Sequence, residues 1–492
     1  MKAKIWLISW LGIVIAALAA CCILVYKIDP FFHYHKPDTE KYFYELNNQR
    51  SQNDGVIRHF DYDAMITGSS MVANFRTSEL DRLFGTDSIK VTFNGGSYKE
   101  VNDNIRKALE ANPDLKMVVR CLDMWCFLYA YDVMWGKPEE YPAYLYDQNL
   151  LNDVKYLFNR DIVFGRTLPM ILDKRKKDFK PGITSFDSYS RWQSLFTFGI
   201  NTVCPEGIAG TEKEQVHLSE EEKERIRKSI ALNVTDTADA NPDVDFYYFY
   251  SPYSLVAWNN WKTEGNLCKM LEAEAYITEL IIHHKNIHLF SFNRRTDITG
   301  DLNNYKDSVH YAIWVNSMVL KWMHDGEGLL TAENYKDRLK EEYDFLTGFD
   351  YESLNGQEDY EADFYAAALL NEELTGVKAL DVIGSDRVEY VREKEFSGIR
   401  FKVDLEEGYN YLCFDGQKMK ENAELHALVY DEDGEAAVRA EDSSEETDMG
   451  IHHYALDLST TGGTVTVELN GVCTESESQT DAAYRFSNIF MY

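Results

Sequence analysis

Between Ile5 and Tyr26 the chain reads IWLISWLGIVIAALAACCILVY, 22 residues without a charge. As an α-helix such a run spans roughly 33 Å, about the hydrocarbon thickness of one bilayer. A helix satisfies its own backbone hydrogen bonds, so this segment can cross lipid where an irregular one cannot. Lys2 and Lys4 precede it and a long acidic chain follows. The positive-inside tendency then leaves the amino terminus in the cytoplasm and everything after Lys27 outside.

A cleaved signal peptide has a shorter apolar stretch, about 7–15 residues. Leu18-Ala19-Ala20-Cys21 resembles a bacterial lipobox, which would make Cys21 a lipidated residue, but the apolar run continues to Tyr26 as a spanning helix requires. The expectation is an uncleaved, single-pass anchor in the cell membrane with an extracellular remainder, lipoprotein anchoring at Cys21 being the alternative.

The 492 residues carry 82 acidic and 50 basic side chains, a net charge of -32. A surface of that sign repels polyphosphates, so no nucleic-acid partner is expected. With 45% hydrophobic and 14% aromatic residues, the chain has enough apolar surface to fold. Cys121, Cys126, Cys204 and Cys268 lie among apolar neighbours without CxxC spacing and read as buried thiols, whereas Cys413 and Cys473 are either free or paired. No metal site is expected: His283-His284 lack a third ligand nearby, and Asp431 and Asp433 suit an exposed hairpin turn. No cofactor is expected either.

The chain divides into an anchor (1–27), a juxtamembrane connector (28–54), a candidate catalytic domain (55–325), an acidic helical connector (326–376) and a carboxy-terminal β domain (377–492). Strand-length apolar runs at Asp63–Thr67, Ile89–Asn94, Lys116–Leu122, Asp245–Tyr250 and Asn286–Phe292 alternate with helical patterns at Thr77–Phe84, Glu100–Ala111, Asn266–His283 and Tyr311–His324. That alternation predicts an α/β domain, a parallel sheet with helices on both faces in a three-layer αβα arrangement. An aromatic insertion at about 129–218 suits a lid or substrate wall. Beyond 377, short strands between Gly, Asp and Asn turns predict an all-β sandwich. There Tyr409, Tyr411 and Phe414 form either a sugar-stacking face or a core. Residues 381–492 hold 9 basic and 25 acidic side chains, a balance of -16, half the chain's total.

Two motifs carry chemistry. Ile66-Thr67-Gly68-Ser69-Ser70-Met71 falls where the first strand ends and a helix begins, which projects a serine from the sheet's carboxyl edge. Asp307-Ser308-Val309-His310 follows the last strand, with spacing that lets a carboxylate hold one imidazole nitrogen and aim the other outward. Each alone is common. In a parallel sheet both arrive at one edge, and an oriented neutral imidazole is the base a serine nucleophile needs.

The pair resembles the SGNH/GDSL hydrolase superfamily, with Ser70 in the nucleophile's place, Ser69 where the family has Asp, and Asp307 and His310 matching its DxxH block. The single anchor and the Gly-Ser-Ser block resemble envelope proteins of teichoic-acid D-alanylation and polysaccharide O-acetylation. The resemblance covers residues 55–325. It implies a Ser70–His310–Asp307 triad in a serine esterase or O-acyltransferase, with an acyl donor, a cell-envelope glycan or polymer as acceptor, and a membrane-bound O-acyltransferase as partner. Gly95 or Gly96 would supply an oxyanion donor, and Tyr253 either contacts substrate or packs at the rim. The family's third block has Asn, whereas here Leu122-Asp123-Met124-Trp125 stands in its place. A non-catalytic protein that binds polymer or scaffolds the partner is the alternative.

Overall fold

A computed structural model describes residues 2–134, 141–177, 179–187, 189–190, 199–208, 210, 213–357, 378–379, 389–392, 396–405, 411–418, 423–442, 451–458, 461–473 and 484–491. Helix α1 (Lys2–Ile28) contains the apolar run, and its Ala3–Ile28 stretch is long and apolar enough to cross a membrane. The chain then turns sharply, with Asp29 and Phe32 at φ 48° and 58°. The buried Asp29 carboxylate holds this turn. It accepts hydrogen bonds from the N–H groups of His33 (3.0 Å), Tyr34 (2.6 Å) and His35 (3.0 Å) and from the Tyr156 hydroxyl (2.8 Å). Burial nevertheless raises its pKa above the ordinary carboxylate value. Gly55 of α2 (Gln49–His59) lies under the same turn, where a Cβ would strike the Phe31 and Phe32 backbone.

A mixed α/β domain follows. Its sheet contains β1 (Ala64–Gly68), β2 (Ser88–Thr92), β3 (Met117–Cys121), β4 (Asp245–Tyr250), β5 (Ile287–Ser291) and β6 (Leu329–Leu330), in the order β2-β1-β3-β4-β5-β6. All pairings are parallel except β5 with β6. Every residue of β1, β2 and β3 is buried, as a sheet covered on both faces requires.

Helices α3 (Thr77–Phe84) and α8 (Ile313–Asp325) pack together. Helices α2, α4 (Tyr98–Ala111), α5 (Glu220–Ile230), α7 (Leu267–Ile281) and α9 (Tyr335–Gly348) form a second contiguous run, in which Ala231–Thr235 bridges α4 and α5. Local signals set their ends: Ser97 caps α4 through the Glu100 N–H, Ser219 and Glu222 form a capping box on α5, and Gly85 closes α3 at φ 69°. The stretch read as a connector thus supplies β6 and α9 to this domain.

The carboxy-terminal region forms two antiparallel sheets. One runs β8 (Glu389–Arg392), β9 (Phe396–Leu405), β14 (Gly463–Cys473), β11 (Ala423–Tyr430) and β12 (Ala436–Asp442). The other runs β13 (Ile451–Asp457), β10 (Tyr411–Lys418), β15 (Tyr484–Met491) and β7 (Lys378–Ala379). Side chains from both, among them Phe401, Leu425, Val467, Phe414, Leu456 and Ile489, share one apolar cluster. Phe414 is a core residue, 5.2 Å from Tyr454 ring to ring. Tyr409 and the Tyr411 side chain lie outside the described residues. Cys413 is a free, buried thiol on β10, whereas Cys473 ends β14 in the other sheet, so the open question of a Cys413–Cys473 bond resolves to a free Cys413.

Candidate functional site

Strand β1 ends at Gly68, whose φ is +149° and where a Cβ would press on the Val72 and Cys121 side chains. A short 3-10 turn, Ser70–Val72, begins at once, and the Ser69 hydroxyl caps it by accepting the Met71 N–H at 3.2 Å. With β2 on one side and β3 on the other, β1 is where the strand order reverses. Ser70 therefore sits at the topological switch point, on the carboxyl edge where open α/β sheets bind ligands.

The Asp307–His310 segment is a loop. A bridge between Tyr305 and Tyr311 closes it, with the Lys306 N–H bonded to the His310 carbonyl at 3.0 Å. Two contacts fasten this loop and the helix α8 that follows it to the serine turn: the Met71 carbonyl accepts from the Tyr311 hydroxyl (3.3 Å) and from Asn316 Nδ2 of α8 (3.1 Å). A third runs to the segment after β4, where the Ser254 hydroxyl donates to the Ser308 carbonyl at 2.7 Å.

Residues 240 positions apart thereby meet: Ser70 Oγ lies 2.8 Å from His310 Nε2. His310 Nδ1 lies 2.8 Å from Asp307 Oδ2, while Asp307 Oδ1 accepts the N–H groups of His310 (2.8 Å) and Val309 (3.0 Å). Burial alone would raise the Asp307 pKa. The hydrogen bonds and charge of His310, with the two N–H groups, hold it below the ordinary carboxylate value. Such a chain can draw a proton from the serine hydroxyl and stabilise the resulting imidazolium.

Ser70 and His310 open into a cavity of about 410 Å³. Its other walls include Trp125, Tyr253, Asn260, Trp261 and Glu264, the last three on or near α6 (Leu255–Glu264). None of the cavity's described lining comes from 129–218, so the lid expected there is not where the described residues go. Leu145, Tyr156, Ile162 and Val163 pack at the carboxy-terminal end of α1, whereas Phe186, Tyr189, Ile208 and Leu218 pack against the core of the α/β domain.

Asp123, which follows β3, is buried behind the pocket. Its Oδ1 accepts the Tyr253 hydroxyl at 3.1 Å and the Cys121 thiol at 3.4 Å. Burial raises the carboxyl's pKa, although hydrogen bonds from Ser69, Cys121 and Tyr253 and the charge of His310 pull the other way. Tyr253 therefore both lines the cavity and orients Asp123. Gly96 donates its N–H to the Phe93 carbonyl at 2.6 Å, Gly95 turns the chain at φ 67°, and neither is among the cavity's lining residues. Among the described residues no His, Cys, Asp or Glu cluster has the form of a metal site.

No family model matches the chain, and no curated protein does. Among solved structures, a candidate platelet activating factor from Streptococcus pneumonia aligns at 10% identity and a TM-score of 0.28, covering 59% of this chain and 90% of that one. The capsular polysaccharide assembling protein CapF from Staphylococcus aureus aligns at 11% identity and a TM-score of 0.16, covering 86% and 98%. Likeness at that level carries no argument about family or activity.

The sequence reading missed the α6 wall, Asn260, Trp261 and Glu264. A signal was present: two tryptophans three residues apart, Trp258 and Trp261, come shortly after the FYSPYS stretch that leads out of β4. The structure buries Trp258 and turns Trp261 into the pocket.

Proposed function

We propose that the protein is an exported, membrane-anchored serine esterase or O-acyltransferase acting on a cell-envelope glycan or polymer. The hydrogen-bonded chain from Asp307 through His310 to Ser70, opening on a cavity, is the observation that supports it. Ser70 Oγ attacks an acyl carbonyl as His310 Nε2 takes its proton. The tetrahedral adduct collapses to acyl-serine, and the departing oxygen or sulfur receives that proton. A second hydroxyl then attacks the acyl-serine, giving its proton to His310, which passes it to the departing Ser70 Oγ: water gives an esterase, a sugar or polymer hydroxyl gives a transferase. Anchoring favours the transferase, because it keeps the site beside a membrane-bound O-acyltransferase delivering acyl groups. The acidic surface favours a neutral acceptor over a polyanion.

Full-length protein in detergent should react with a fluorophosphonate probe and release acetate from an aryl acetate, and Ser70→Ala should do neither. A wild-type protein inert in both assays would favour the second reading, a non-catalytic protein that binds polymer or scaffolds the acyltransferase. That reading draws on Asp123, a carboxyl where the family places an amide donor. Loss of one oxyanion donor typically costs about 2.7–4 kcal/mol.

A further inference from the structure

Residues 150–180 depart from the rest of the chain in two ways. They carry eight Lys and Arg against four Asp, a balance of +4 within a protein of net charge -32. They also hold seven of the ten exposed large hydrophobic residues described beyond α1, with Leu151 at 85% and Phe164 at 62% exposure. Soluble surfaces seldom gather apolar side chains in this way without a partner.

Their position identifies the partner. Tyr156, Ile162 and Val163 form a buried cluster with Val25 of α1, and Cys21 packs against it. Cys21 lies five residues before Tyr26, where the uncharged run ends. At the helical rise that is about 7–8 Å inside the outer boundary of the apolar span. The cluster also holds Phe31, just beyond α1, so the segment straddles the boundary and at Cys21 reaches the level where interfacial elements bury their apolar faces, about 5–10 Å into the headgroup and acyl boundary.

The outward residues of this segment, Leu151, Val154, Phe158, Phe164, Leu168 and Leu172, then meet acyl chains. Lys174, Arg175, Lys176 and Lys177 follow, all exposed, where anionic headgroups would lie. We infer that residues 150–177 form a second membrane contact, a monotopic lipid-binding surface fused to the side of the anchor that docks the ectodomain onto the outer leaflet. This rests on α1 being the anchor, as proposed above.

The test uses full-length protein in liposomes of phosphatidylcholine, with and without phosphatidylglycerol, doped with a phosphatidylcholine that carries a diazirine on its acyl chain. After photolysis, peptide mass spectrometry should find lipid adducts on 150–172 as well as on α1. Adding phosphatidylglycerol should increase the 150–172 adducts severalfold, and the Lys174→Glu, Arg175→Glu, Lys176→Glu, Lys177→Glu variant should lose that increase while α1 labelling stays the same. Adducts confined to α1, or 150–172 cross-linked to another copy of the chain in place of lipid, would overturn the inference. Absence of adducts on α1 would instead overturn the anchor.

Discussion

Replacing Asp307 with Asn changes few atoms, yet the geometry predicts a near-complete loss of activity. Asp307 Oδ1 is held by two backbone N–H donors, those of Val309 and His310. An asparagine must present its carbonyl oxygen to that pair, which turns its NH₂ toward His310 Nδ1. Two donors cannot face each other, so the imidazole takes the other tautomer, with its proton on Nε2 facing Ser70. It can then no longer accept the serine proton. In an Asp-His-Ser relay this exchange lowers kcat by about ten-thousand-fold, about 5.4 kcal/mol at 1.36 kcal/mol per tenfold. Asp307→Ala, which removes the carboxylate outright, belongs to the same order of loss. Fluorophosphonate labelling rates and aryl-acetate turnover, with Ser70→Ala as the floor and thermal melting as the check on folding, measure both variants. An Asn variant retaining more than about a hundredth of wild-type activity, or clearly outperforming Ala, would refute the tautomer argument.

Glu274 and Glu342 are buried together, and Asn293 Nδ2 bonds both, at 3.0 Å to Glu274 and 2.8 Å to Glu342. Burial raises both carboxyls, and for Glu274 the charge of Glu342 adds to it. The stability this site confers is therefore full below the ordinary Glu pKa of about 4.3 and declines as pH rises toward the raised folded values. Glu342→Gln should flatten that decline and raise the denaturant midpoint at alkaline pH. Gly55→Ala forces a methyl group onto the Phe31 and Phe32 backbone, and chemical denaturation should show a loss of about 1–3 kcal/mol. Trp261→Ala removes a pocket wall without touching the Ser70–His310 contact, so KM for a glycan substrate should rise more than kcat falls.

Much of the α/β domain was legible because its strands are short, wholly buried runs between amphipathic helices. Asp245–Tyr250 is the strand read from the sequence, and the other four strands are shifted by only one or two residues at either end. The meeting of Ser70 with His310 was legible for the same reason: parallel strands deliver their carboxyl ends to one edge. What escaped were features that depend on the far partner. Asp123 reads as a bare carboxylate in sequence, and only the fold brings Tyr253, Ser69 and Cys121 around it. Gly96 reads as a spare N–H donor until the turn commits it to Phe93. The 129–218 insertion reads as a lid because it leaves the sheet at the ligand edge, but its described apolar side chains divide between the end of α1 and the flank of the α/β core.

The knot at Asp29 also sets the standoff of the site. A Gly/Ser tether between anchor and ectodomain would let the pocket sweep a hemisphere whose radius grows as the square root of the tether length. Here the carboxylate grips three backbone N–H groups within seven residues of the end of α1, together with the distant Tyr156 hydroxyl, so the joint is no such tether. With α1 as the anchor and Ser70 as the nucleophile, as proposed above, the site would be held at one altitude above the bilayer. On that proposal, polymer passing higher or lower would be out of range however abundant it is, and a donor in the membrane would meet the acceptor hydroxyl at a constant distance.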